Sequence, residues 1–412
     1  MPTPYKTPAA LNVVEQELAR GNELSIIGLV NALVEQAHFM RASDIHIDPD
    51  ENGVVVRLRI DGVLHEKFRF EKNIHSEVIS RIKVLSWLRT DEHASAQDGR
   101  FRIVLSTGAP VDVRVSITPT YYGENAVLRL LADKAEDYTL ASLGFSPADE
   151  KKILRAAAKP HGMILSTGPT GSGKTTTLYT LIKLLNRKEV SIVTIEDPIE
   201  YSVAGITQIQ INSRTGLTFA NGLRSILRQD PNIIMVGEIR DPETAGIAVN
   251  TALTGHLLLS TLHTNDAATT LPRLLDMGID PYLVASTANV AIGQRLVRKI
   301  CEHCKKETPL TPAERESLAD NLKSAPVPET AVFYRGEGCV HCQESGYRGR
   351  VGINEVLVVD TEVRDAILRK ESATAIRDIA ILNGMTTMFQ DGVSKALAGQ
   401  TTLSEVLRTI NE

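Results

Sequence analysis

Residues 163–185 read MILSTGPTGSGKTTTLYTLIKLL. The apolar run Met163 to Ser166 has strand character and Thr176 to Leu185 has helix character. Between them, Gly168-Pro169-Thr170-Gly171-Ser172-Gly173-Lys174-Thr175 completes a phosphate-loop pattern in the strand–loop–helix context it requires. Each residue type has a physical reason. Gly171 and Gly173 let backbone N–H groups converge on phosphate oxygens, and the start of the following helix adds its positive end. Lys174 supplies a point charge for the β and γ phosphates of ATP, and Thr175, followed by Thr176, is placed to meet Mg2+.

Outward from this loop, short apolar strands (Met163 to Ser166, Ser191 to Ile195, Ile233 to Val236, Leu257 to Leu262) alternate with helix-length segments. That alternation is the pattern of a parallel α/β sheet. Two of the strands run into acids. Ile233-Ile234-Met235-Val236-Gly237-Glu238 ends in a carboxylate expected to reach the metal, and Thr194-Ile195-Glu196-Asp197-Pro198-Ile199-Glu200 supplies two more candidates. Any one such acid is also readable as a solvated loop charge, a reading that their joint placement after strands weakens. His256 and His263 flank the strand Leu257 to Leu262, either as structural residues or as imidazoles sensing the γ-phosphate.

The segment before the loop has a different rhythm. From Ser25, the residues Ile26, Leu29, Val30, Leu33, Ala37 and Met40 recur at helical spacing. Strands follow at Asp44 to Ile47 and Val54 to Ile60, and the second turns at Asp61-Gly62 into Val63 to Phe68. A helix over Ile74 to Leu88 and strands at Phe101 to Leu105, Pro110 to Ile117 and Ala126 to Leu131 complete a small α+β domain. The expected organisation is an extension over 1–23, this small domain over 24–132, a linker over 133–143 and the phosphate-loop domain over 144–297. A cysteine module over 298–348 and a helical region over 349–412, with Ser372 and Thr402 as helix caps, complete it.

The composition narrows the function. With 412 residues, two to four domains are expected. Lys and Arg number 45 against 50 Asp and Glu, so the chain lacks the basic footprint of a nucleic-acid binder. No segment reaches the ~20 apolar residues of a spanning helix, and the N-terminus lacks a secretory pattern, so a cytoplasmic location is expected. The four cysteines form two pairs, Cys301-Glu-His-Cys304 and Cys339-Val-His-Cys342. Four thiolates close a tetrahedral structural Zn2+ site; reduced free thiols and a redox pair are the alternatives. The long gap between the pairs calls for a helical insertion. Nearby, Arg295, Arg298, Lys299, Lys305 and Lys306 form a basic cluster, read as a solvated face or as a surface for an acidic loop or anionic lipid.

Taken together, the chain resembles the type II secretion and type IV pilus assembly ATPases, relatives of the RecA-like motors. Four boxes in order carry the resemblance: Gly168 to Thr175, TIEDPIEY (Thr194 to Tyr201), IIMVGEIRD (Ile233 to Asp241) and GHLLLSTLHT (Gly255 to Thr264). The resemblance implies a RecA-like P-loop ATPase domain behind a small α+β, PAS-like domain, with a zinc-binding insertion and a helical C-terminus. It implies a homohexamer holding ATP between the two domains, and peripheral attachment at the inner membrane through a platform protein. Glu200 carries over as the general base, with Glu196 next. Glu238 carries over to magnesium, His256 and His263 to γ-phosphate sensing, and Arg100 and Arg114 to arginines brought to the nucleotide, with Arg81 a weaker third. The cysteine module belongs to the assembly and secretion branch and is lacking in retraction motors. The short N-terminus implies a form without the further docking domain of longer relatives, and LRTDEHASA (Leu88 to Ala96) departs from the basic segment expected there. The alternatives are a nucleic-acid translocase or conjugation or DNA-uptake motor, a pilus retraction ATPase and a small-molecule kinase. The acidic balance and the scarcity of aromatic residues disfavour a nucleic-acid partner.

Overall fold

The structure is a computed structural model that describes residues 13–131, 138–321 and 331–411. The chain divides into two compact units, Met1–Ala135 and Glu136–Glu412.

The first unit is a six-stranded antiparallel sheet backed by helices. Helix α1 (Val13–Leu18) buries Val14, whose N–H donates to the Gln36 side chain at 3.1 Å. These residues, read above as an extension, therefore belong to this unit's core. Helix α2 (Ile26–Phe39) starts at Ser25, whose hydroxyl accepts the Gly28 N–H, an N-cap that satisfies one orphan donor. Then come β1 (Ala42–Pro49), β2 (Val54–Ile60), β3 (Val63–Phe70), α3 (His75–Leu85), β4 (Gln97–Val104), β5 (Pro110–Thr120) and β6 (Gly123–Leu131), in sheet order β3-β2-β1-β6-β5-β4. Asp61 and Gly62 both have positive φ, the geometry that two-residue hairpins favour. β2 buries alternate residues, so one face of the sheet carries the core.

The second unit is a three-layer α/β sandwich. Its elements are α4 (Pro147–Ala157), β7 (Gly162–Thr167), α5 (Lys174–Leu185), β8 (Ile192–Glu196), β9 (Thr207–Gln210), α6 (Phe219–Ile226), β10 (Ile233–Val236), α7 (Pro242–Leu253), β11 (Leu257–Leu262), α8 (Ala267–Asp276), α9 (Pro281–Thr287) and β12 (Ala288–Ile300). After these come β13 (Lys305–Thr308), α10 (Pro312–Asn321), β14 (Phe333–Gly336), β15 (Tyr347–Val358) and helices α11 to α14 (Thr361–Leu368, Ala373–Leu382, Met388–Leu397, Leu403–Asn411). The main sheet runs β15-β12-β7-β11-β10-β8-β9, parallel except for the β12–β15 pair. β7, β10 and β11 are buried along their whole length because separate cores form on the two faces of the sheet.

The expected domain limits at 297/298 and 348/349 fall inside β12 and β15. The cysteine module is thus an insertion between two hydrogen-bonded strands of the main sheet. Residues 352–358, read as the start of the helical region, are strand, and helices follow from Thr361. The helix expected between the cysteine pairs is α10; residues 322–330 lie outside the described residues, as do 1–12 of the extension and 133–137 of the linker. Leu318 and Phe333 of the module share a small core with Val393, Ala396 and Leu403 of the C-terminal helices.

Candidate nucleotide site and cysteine centre

Because β7, β8, β10 and β11 are parallel, their carboxyl ends open on one edge, where α/β sheets place ligands. At the end of β7, Gly168, Gly171 and Gly173 all have positive φ, with values of 142°, 79° and 92°. Gly168 also lies so close to β12 that an added Cβ would stand 2.3 Å from the Gln294 carbonyl oxygen. Only glycine fits there. Lys174, the first residue of α5, is buried and donates to the carbonyls of Gly168 (2.7 Å) and Pro169 (2.8 Å). Burial lowers its pKa to about 8, with the Glu238 charge acting the other way.

The acids divide by environment. Glu238 is almost buried, and its Oε2 accepts from Arg240 Nε at 2.6 Å and lies 3.0 Å from His263 Nε2. Its negative charge is therefore already engaged by cationic or polar donors that a metal ion can replace. Glu196 is buried among neutral donors: Tyr179 OH at 2.5 Å, Thr194 Oγ1 at 2.6 Å and Gln208 Nε2 at 3.3 Å. Burial and the Glu196 carboxylate push the Tyr179 phenol upward, and the same two causes push Tyr201 to about 12. Glu200 stands half-buried in the turn beyond Pro198.

The two histidines part company. His263 follows β11 at the phosphate edge, beside a cavity of about 360 Å³ lined by Ile239, Arg240, Leu262, His263, Arg273 and Met277. His256 precedes β11; its Nδ1 faces the Thr251 carbonyl at 3.2 Å and its carbonyl accepts the Gly162 N–H at the start of β7. Six strand residues, roughly 20 Å, lie between them. Within this chain, His256 is thus at the far end of the sheet from the phosphate loop, not beside it.

In the first unit, Arg100 on β4 is the direct cross-strand partner of Arg114 on β5, and Arg114 that of Arg129 on β6. The row continues to Asp44 and Arg59. Asp44 bonds Arg129 at 2.8 Å and pairs with Arg59 at 3.5 Å. Burial opposes the charge on Asp44, but hydrogen bonds from Arg129 and Ser43 hold its carboxyl below the usual range. Arginines facing one another across strands cost stability unless acids answer them, and Asp44 answers Arg129 and Arg59 within this row. Arg129 was missed in the sequence because cross-strand register is not visible there. Arg81 lies on α3, with its Nε buried and without a hydrogen-bond partner among the described residues.

The four cysteines converge: their Sγ atoms all lie within 4.8 Å of one another. Cys301–Cys339 and Cys304–Cys342 are 3.8 Å apart and Cys339–Cys342 3.6 Å. A tetrahedral ion with metal–sulfur bonds of about 2.3 Å requires sulfur separations of about 3.8 Å, so the donor set fits zinc. The N–H groups of Cys339 (3.2 Å) and Gly346 (3.3 Å) point at Cys342 Sγ, which suits a thiolate. His303 and His341 stack on each other at 4.0 Å, consistent with four cysteines sufficing.

The neighbouring basic residues do not form one open patch. Arg295 is buried and donates to the Thr409 carbonyl; Arg298 pairs with Glu405 at 2.6 Å and lies over the Tyr347 ring; Lys306 pairs with Glu337 at 2.6 Å. Lys305 sits over the Tyr334 ring. The linear sequence hid these partners because those of Arg295 and Arg298 lie more than a hundred residues away.

Fold and edge together define a RecA-like P-loop ATPase unit, carried behind a small α+β unit. Residues 20–408 match the family described as Type II/IV secretion system protein. The chain is 46% identical over 398 residues to the Type II secretion system protein E of Aeromonas hydrophila, spanning 97% of this chain and 78% of that protein. It is 47% identical over 383 residues to the Type IV pilus assembly ATPase PilB of Thermus thermophilus, spanning 92% of this chain but only 42% of that longer protein. The solved pilus retraction motor PilT with bound ADP aligns with a TM-score of 0.62 and 26% identity, covering 92% of this chain and 96% of that one. The Legionella pneumophila ATPase DotB shares the fold, with a TM-score of 0.67 and 23% identity over 92% of this chain and 94% of that one. The chain belongs to the Type II/IV secretion system protein family and is an ATPase.

Proposed function

We propose that this ATPase works as a homohexamer whose ATP turnover drives assembly of pilin-like subunits, in type II secretion or type IV pilus biogenesis, through a polytopic inner-membrane platform protein. The observation that carries the assembly reading over retraction is the four-cysteine cluster, inserted between two strands of the ATPase sheet itself. Among the described residues no helix is long and apolar enough to cross a membrane; in this reading the partner holds the motor at the membrane.

In this reading the phosphate-loop N–H groups and Lys174 hold the triphosphate, and the hydroxyl of Thr175 and Glu238 are the groups suited to Mg2+. When bound, that ion neutralises charge on the β and γ phosphates. Glu200 orients the attacking water, since the oxygens of Glu196 are already occupied. Arg100 and Arg114 bring positive charge to the γ-phosphate, an effect of about 10³ to 10⁵ in rate for such arginines. His263 senses that phosphate through Glu238. Zinc fits the four thiolates as a structural ion, closing the module.

The test compares Glu200→Gln with Glu196→Gln. Magnesium-dependent hydrolysis is expected to fall at least about a hundredfold in Glu200→Gln, with the hexamer retained. With ATP bound, that variant is expected to trap a polytopic platform protein from membranes. Recovery of no such protein overturns the platform assignment, and ATPase activity stimulated by DNA and weakening as salt rises overturns the reading in favour of a nucleic-acid motor.

A further inference from the structure

Gln294 on β12 is fully buried, yet its Nε2 has no hydrogen-bond partner among the described residues. Such an orphan is rare and costly, because a buried donor forfeits water without gaining an acceptor. Its surroundings are specific. β12 runs parallel to β7 with Gly293 opposite Thr167, which sets Gln294 against Gly168, the first residue of the phosphate loop. The carboxamide oxygen is fixed, accepting from Thr177 Oγ1 of α5 at 2.8 Å. The carboxamide nitrogen is thereby aimed at the loop: a Cβ on Gly173 would stand 3.1 Å from it. A second buried group without a hydrogen-bond partner among the described residues, Ser172 Oγ, belongs to the same loop.

A phosphate loop holds its ligand by turning N–H groups inward, which turns carbonyls toward its outer side. The outer side here is β12. We propose that Gln294 is a positioning residue for the nucleotide: when phosphate draws the loop's N–H groups inward, Gln294 Nε2 donates to an acceptor that the loop turns outward, a backbone carbonyl or Ser172 Oγ. The donor is idle in the empty loop and satisfied in the loaded one. Nucleotide binding thus completes a hydrogen bond that folding leaves open. The inference rests on the loop binding nucleotide, as the proposed function holds.

The distinguishing feature is that removing Nε2 damages the loaded state and not the empty one. Gln294→Leu is made in a Thr177→Val background, so that the hydroxyl donor and its acceptor leave together and no new orphan arises. Binding of methylanthraniloyl-ADP with magnesium is followed by fluorescence, and the unfolding midpoint is measured without nucleotide. Relative to Thr177→Val alone, the double variant is expected to bind about tenfold more weakly, the size of one hydrogen bond. Its nucleotide-free midpoint is expected to be unchanged or higher. Gln294→Met serves as a second variant of similar volume. Affinity within twofold of the background overturns the proposal. So does a midpoint that falls in step with affinity, or failure of both variants to fold, since each marks Gln294 as merely structural. A wild-type chain that binds no ADP instead defeats the nucleotide reading itself.

Discussion

Six residues of one strand, 295–300, separate two sites built on opposite plans. At Gln294, β12 touches the phosphate loop; at Cys301, just past its end, it enters the cysteine centre. The phosphate site is made of backbone held in left-handed glycine conformations, with a lysine tied to loop carbonyls and unpartnered polar atoms behind it. The cysteine centre is made of side chains already at tetrahedral spacing, with backbone N–H groups aimed at sulfur. In the proposed reading, the first site serves a ligand that comes and goes and the second a structural ion that stays. Function should therefore respond to damage at the first and folding to damage at the second.

The largest expected effect comes from opening the cysteine centre. Structural zinc contributes on the order of 10 kcal/mol to the folding of small zinc domains, so Cys342→Ser should unfold the module, not merely weaken it. The expected signs are loss of bound zinc by elemental analysis and new protease cleavage within residues 302–346. Because Phe333 shares a core with Val393 and Leu403, cleavage near the C-terminal helices should follow. ADP affinity should stay within a few-fold of wild type. An intact, zinc-free module would break the contrast from the structural side.

Next is Lys174→Ala. Hydrolysis is expected to drop about 10² to 10³-fold, the scale for removing a preorganised charge from a transition state. The nucleotide-free unfolding midpoint should move by less than about 4 °C, since the buried ammonium bears a desolvation penalty that offsets its two hydrogen bonds. A midpoint that collapses along with activity would make the loop as structural as the cysteine centre.

Both sites are legible in sequence for the same reason. Each is local: eight consecutive residues make one, and two Cys-x-x-Cys pairs make the other. What was illegible is long-range. Gln294 lies more than a hundred residues from the loop it supports, and no residue beside it announces a role. β12 and β15 form a long antiparallel pair, but their apolar runs flank the cysteine segment and read as the edges of separate domains. The same blindness placed His256 and His263 together, since nothing in a six-residue strand says which end faces the phosphate until its parallel partners are known. It also made a basic patch of Arg295 and Arg298, whose partners Thr409 and Glu405 come from the last helix.

The smallest effect is also the most diagnostic, because it has opposite signs in two measurements. Burial holds Lys174 at about 8 in the nucleotide-free protein, against about 10.4 in an unfolded chain. Bound phosphates raise it again, since opposite charge favours the ammonium. Above pH 7.5 the terminal phosphate of ADP is already fully ionised, so Lys174 dominates the proton balance of the loop. Below about pH 8 the empty and loaded states both hold the proton and affinity is flat. Above it the empty site has lost a proton that binding must restore, so Kd should rise by up to about tenfold per pH unit. Folding runs the other way: between about pH 8 and 10.4 the unfolded chain holds the proton that the native chain has released, so this residue's contribution to stability increases with pH. Both slopes should vanish in Lys174→Ala. An ADP affinity that stays flat from pH 7.5 to 9.5 in the wild-type protein would mean a hydrated ammonium and a phosphate site open to water.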